Sequence, residues 1–136
     1  MASQGAAAIA EHRLVIFSTQ HHDLAILTAV AEAAGLAGIV ATADDADEIA
    51  AAMVAGTPPS GERLVVIDTR LPDGAADRVL ARLRGAAVAA RMIALAPHSA
   101  QVSGDQMRAA GYDDFLVTPL SPSGVRRVLT GAAAGP

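Results

Sequence analysis

At 136 residues, 52% of them apolar, the chain is long enough to bury one real core and too short for two ordinary domains. A net charge of −4 with no run of Lys or Arg gives no electrostatic footprint for a phosphate backbone, so nucleic acid is not an expected partner. The absence of cysteine removes disulfides, thiolate zinc sites and thiol nucleophiles together and fits a reducing compartment, with the cytoplasm as the expected location.

In chain order, the alanine-rich stretch 5–10 is closed by Glu11, His12 and Arg13 before it reaches membrane-spanning length, so neither signal peptide nor anchor is expected. Residues 1–12 read as linker or disordered and 131–136 as tail, around one domain over 13–130. Leu14-Val15-Ile16-Phe17 is short and apolar all round, as a strand covered on both faces should be. A polar stretch, Ser18 to Asp23, leads into Leu24, Leu27, Val30 and Ala31 at helical spacing, with Gly35 as C-terminal cap. Asp23 is expected to cap that helix. Gly38 to Ala41 reads as a second strand, and Asp44 or Asp45 caps an alanine-rich helix carrying Ile49 and Met53 and stopping near Gly56.

After the loop Thr57 to Gly61, Leu64-Val65-Val66-Ile67 is the strongest strand signal, with Asp68 at its carboxyl end. Leu71 to Gly74 forms a turn, and the helix from Ala75 places Val79, Leu80 and Leu83 on one stripe before Gly85 ends it. Met92 to Leu95 is strand four. Ser103 and Gln106 have the spacing of a capping box for a short helix ending at Gly111, Phe115 to Val117 is strand five, and Ser121-Pro122 opens the last helix. Strands alternating with helices through short loops call for a doubly wound α/β fold with a five-stranded parallel sheet, its chemistry collecting beyond the carboxyl strand ends. Those ends present Ser18, Thr19, Asp68, Ala96 and Thr118.

From Leu14 to Leu129 the sequence resembles the receiver domains of response regulators and hybrid histidine kinases. Val65 to Gly74 looks like the family's third strand, phosphoacceptor aspartate and Pro-containing loop, with Asp68 in the nucleophile's place. Ile93 to Ala96 looks like the fourth strand and Gly111 to Leu120 like the fifth, where Phe115 stands at the aromatic switch position and Pro119 follows the position of an essential lysine. The resemblance implies a flavodoxin-like topology with strand order 2-1-3-4-5. It also implies a histidine kinase or other domains of the same signalling protein as partners, and homodimerisation or docking through the helix 4, strand 5 and helix 5 face. No enzymatic activity beyond self-phosphorylation is expected, because the sequence offers no nucleophile with an adjacent base, no glycine-rich phosphate cradle and no paired acids on one strand end.

Four positions depart from the family pattern. Ser18 and Thr19 stand where an acidic pair holds a metal ion, Ala96 where a hydroxyl senses the phosphoryl group, and Thr118 where the lysine should be. A magnesium-type ion wants carboxylate oxygens, and Asp68 alone is a poor site. One cation beside a phosphoryl group is worth roughly 4 kcal/mol, which Thr118 does not supply. A degenerate receiver follows, without a cofactor unless the site still takes magnesium. Asp68 then reads as a vestigial or slow acceptor, or as a polar strand end capping the loop Thr69 to Gly74. Arg70 is either a neutraliser of Asp68 in the metal's place or, the favoured reading, a solvated loop residue. His21, His22 and His98 show no zinc-ligand spacing.

Tyr112, read as exposed, and Phe115, read as core, are placed on the helix 4, strand 5 and helix 5 face with Arg108, Arg126 and Arg127. If those arginines converge with Tyr112, a pseudo-receiver sensing a cyclic dinucleotide is the alternative function. A flavodoxin-like FMN carrier ranks last, because one Tyr and two Phe leave little to stack on a flavin.

Overall fold

The computed structural model describes residues 13–36, 38–41, 45–55 and 63–130. The expectations for residues 1–12, Asp44, Gly56, the loop 57–61 and residues 131–136 lie outside them. The elements run β1 (Leu14–Phe17), α1 (His21–Ala33), β2 (Gly38–Ala41), α2 (Ala46–Ala55), β3 (Leu64–Asp68), α3 (Ala75–Gly85), β4 (Arg91–Pro97), α4 (Gly104–Ala110), β5 (Asp114–Thr118) and α5 (Pro122–Thr130). The described sheet has five strands in the order β2-β1-β3-β4-β5, and every pairing is parallel.

The apolar runs are buried throughout because the sheet is covered on both faces. Strand period two divides their side chains between two cores. Val15, Phe17, Val65, Ile67, Met92 and Ala94 face α2 and α3, where Ile49, Met53, Val79 and Leu83 close over them. Leu14, Ile16, Leu64, Val66, Ile93 and Leu95 face α1 and α5, against Leu27, Ala31, Val125 and Leu129.

Local chemistry ends the helices where the sequence signals it. Ser103 Oγ accepts from Gln106 N at 3.1 Å, while Ser103 N donates to Gln106 Oε1 at 2.9 Å, closing the capping box of α4. Gly111 caps the other end at φ +114°, a conformation that needs glycine. Arg84 of α3 donates to Gly111 O and to the Asp113 carboxylate, which itself accepts from Met92 N at 2.8 Å, so α3 is tied to the ends of β4 and β5.

Parallel register sets the carboxyl ends side by side. Phe17 pairs with Ile67, which brings Ser18 next to Asp68, and Asp68 pairs with Leu95. Strand four runs further than the sequence suggests, to Pro97, so Ala96 lies inside β4 and is fully buried. Among the described residues no helix is long and apolar enough to cross a membrane.

Candidate functional site

Asp68 ends β3 with only 1% of its surface exposed, so its carboxylate must be satisfied by protein groups. Ser18, fully buried at the end of β1, donates its hydroxyl to Asp68 Oδ2 at 2.7 Å. Arg70, two residues after Asp68, turns back over it. Its backbone N donates to Asp68 Oδ1 at 2.9 Å, its Nε to the same oxygen at 2.8 Å, and its Nη2 to Oδ2 at 3.0 Å. The two side chains thus meet fork to fork, the strongest geometry a guanidinium and a carboxylate adopt. The backbone bond also closes the turn after β3, as expected of an aspartate at a strand end.

The same Nη2 reaches Asp23 Oδ2 at 2.7 Å. Asp23 is 5% exposed, and Gln20, the residue at the N-cap of α1, makes no side-chain cap bond. Two expectations are corrected here. Asp23 does not cap α1: as its third residue it shares the inward stripe of Leu27 and Ala31, four and eight positions on, and is carried into the sheet end. Arg70 is not a solvated loop residue, because two buried carboxylates on different elements converge on it. Its side chain is only 27% exposed. The guanidinium is held in its charged form above its ordinary range, first by the hydrogen bond to Asp68, with Asp23 adding to it and partial burial opposing.

The site does not suit a divalent ion in this arrangement. A guanidinium nitrogen sits within hydrogen-bond distance of both carboxylates, where a cation bridging them would have to be, and Ser18 already spends its hydroxyl on Asp68. Thr19 is exposed beside it. Among the described residues no group of three or more His, Cys, Asp or Glu could hold a metal, and His21, His22 and His98 are all exposed.

At the ends of β4 and β5 there is no comparable convergence. Ala96 presents a methyl group, and Thr118, half-buried and joined to Pro119 by a cis peptide bond, makes no side-chain hydrogen bond among the described residues. Phe115 is half-buried, its ring resting near Gly104 of α4. Tyr112 corrects a third expectation: it is 5% exposed and packs into the core under α2 and α3. Burial, with Asp77 and Asp68 adding to it, pushes its phenol up to about 12.

Of the three arginines whose convergence with Tyr112 the ligand-sensing alternative requires, one lies beside it. Arg108 borders the recess of Gly111, Tyr112 and Asp113 with Arg84. Arg127 lies along β5 and α5 with Phe115 and Pro119. Arg126, about 100° round the helix, lines a groove between α5 and α1. Arg108 thus meets the condition, and Arg126 and Arg127 do not.

No protein-family model and no curated protein matches the sequence. Solved structures do. The structure described as FixJ-N aligns with a TM-score of 0.69 at 17% identity, covering 90% of this chain and 94% of that one. A response regulator receiver protein from Burkholderia phymatum gives 0.66 at 19% identity over 89% and 94%. Full-length ShkA, solved in complex with AMPPNP, gives 0.64 at 26% identity over 88% of this chain and 24% of that one. The structural neighbours of this chain are response regulator receiver domains, and its fold is theirs.

Proposed function

We propose that this chain is a receiver-like module of two-component signalling that works through protein contacts, with an internal cation in place of phosphotransfer chemistry. The observation that carries the reading is Arg70, which bonds both Asp68 and Asp23. Attack by a carboxylate on a phosphoryl group is driven by positioning and by cations that neutralise the transferred oxygens. Here the acceptor carboxylate is already fully engaged, and Ala96 and Thr118 supply neither a sensing hydroxyl in the right place nor a cation. Asp68 is therefore a structural aspartate at the acceptor position.

The partner under this reading is a histidine kinase or another domain of the same cytoplasmic signalling protein, met through the face of α4, β5 and α5 that carries Arg108, Phe115, Pro119 and Arg127. Amide NMR spectra before and after addition of magnesium and beryllofluoride, a phosphoryl mimic, test it. Unchanged spectra are expected; shifts spreading from Asp68 to Phe115 would overturn the reading. A cyclic-dinucleotide sensor is the second reading, supported by Arg84 and Arg108 beside Tyr112. Both arginines already have acidic partners, Asp113 and Asp105, which weakens it. Heat on titration with a cyclic dinucleotide would revive it.

A further inference from the structure

The helices differ in how firmly they grip the sheet. α3 buries five of its residues and α5 three, whereas α4 buries none. Its seven residues are too few for a helix to stand alone in water, and Asp105, Gln106, Arg108, Ala109 and Ala110 are all exposed. Beyond its two caps, α4 is held by Met107, its one side chain that packs on the core of α2 and α3.

The other methionines among the described residues are enclosed: Met53 is 3% exposed and Met92 fully buried. Met107 is half-buried, and with Gly104, Tyr112 and Phe115 it lines a cavity of about 30 Å³, room for a molecule of one or two heavy atoms. A thioether is apolar and its sulfur is open to two-electron oxidants, which turn it into a polar sulfoxide. The chain has no cysteine, so no thiol of its own competes for such an oxidant.

We propose that Met107 is an oxidation site whose sulfoxide releases α4 from the domain. The sulfur attacks one oxygen of hydrogen peroxide, so that the S–O bond forms as the O–O bond breaks and two electrons pass from sulfur to the oxidant. The oxygen left behind takes the proton of the transferred one and departs as water. The new dipole faces an apolar core, where a polar group without a hydrogen bond costs free energy, and α4 has no second side chain there to keep it in place. A dithiol-dependent reductase reverses the step, giving the thioether, a disulfide and water. Loss of α4 also removes Arg108 from the docking face, a consequence that rests on the function proposed above, whereas the oxidation site does not.

Mass spectrometry of peptides from the full chain after brief exposure to hydrogen peroxide, with amide exchange read on the same samples, tests the proposal. The peptide carrying Met107 should gain an oxygen before those carrying Met53 and Met92 do. Amides of residues 104–112 should then exchange at least about tenfold faster while those of β1 and β3 stay protected, because the opening is confined to one local unit. Met107→Leu keeps the apolar contact without the sulfur, and should protect α4 as the wild type does and lose the response to peroxide. Met107→Gln, polar and of similar length, should loosen α4 with no oxidant present. Earlier oxidation of Met53 or Met92, an oxidised Met107 with α4 still protected, or the same loosening by peroxide in Met107→Leu would each overturn the proposal.

Discussion

The two halves of the sheet's carboxyl edge handle burial in opposite ways. Where β1 and β3 end, Asp68 and Asp23 are buried and a single arginine from the following loop reaches both. Where β4 and β5 end, the methyl group of Ala96 is fully buried and carries no charge, and Thr118 finds no side-chain partner among the described residues. Under the proposed reading the first half is internally complete, and among the described residues the ends of β4 and β5 add no cation that a phosphoryl group could use. The contrast teaches that a buried carboxylate at a strand end does not by itself fix its chemistry, because its neighbours decide what it is satisfied by.

The strongest way to break this contrast is to remove Arg70. Arg70→Ala leaves two carboxylates below 10% exposure without a cation, and losing one partner of a buried ion pair should cost about 3 kcal/mol. Urea unfolding at neutral pH reads the loss. Millimolar magnesium should then recover part of the stability of the variant and none for the wild type, since ligand binding to the folded state stabilises by mass action. An unfolding midpoint close to that of the wild type would mean that Arg70 is an ornament of the loop.

Away from this edge, in the core that holds Tyr112, alkaline pH introduces a charge that the fold omits. Tyr112 is the only tyrosine of the chain, so its ionisation can be followed by phenolate absorbance without overlap. Its folded value, raised from 10.0 to about 12, lies above that of the unfolded chain. The unfolded state therefore releases its proton first, and the stabilising contribution is intact below pH 10 and lost as pH rises through the window to about 12. Stability should fall there by about 1 kcal/mol per pH unit, and Tyr112→Phe should flatten that slope. Phenolate appearing near pH 10 while the domain stays folded would show that the ring is not enclosed.

Much of this was legible in the sequence, and what was not follows from one physical distinction. Strand runs, the capping box of Ser103 and Gln106, and the place of Asp68 at a strand end are local patterns, so periodicity and spacing expose them. Asp23 was legible too, since its position four residues before Leu27 and eight before Ala31 puts it on the buried stripe of α1. Its polarity argued for a cap and hid the helical phase. The bond from Arg70 spans 47 positions and exists only because parallel pairing of β1 with β3 sets the start of α1 beside the loop after β3. Tyr112 looked exposed between Gly111 and Asp113, yet Gly111 lies against Leu80 and the turn carries the ring inward. Arg126 and Arg127 are adjacent in sequence and about 100° apart on α5, enough to send them to different grooves.

Two hydroxyls, one on each half, give the finest measure of the contrast. Ser18→Ala removes the buried donor to Asp68 Oδ2 and should cost about 1.5 kcal/mol, near the lower end for a hydrogen bond to a charged group, because Arg70 Nη2 still serves that oxygen. Thr118→Val replaces a hydroxyl without a side-chain hydrogen bond among the described residues by a methyl group of similar size, and should change stability by less than about 0.5 kcal/mol. Both substitutions leave the strands and the apolar core in place, so paired urea titrations compare the strand ends directly. Equal losses at the two sites would mean that Thr118 also has a partner holding it, and that the β5 end is built to grip something after all. A near-silent Thr118 beside a costly Ser18 would leave the polar chemistry of this edge wholly on the side of Asp68 and its arginine.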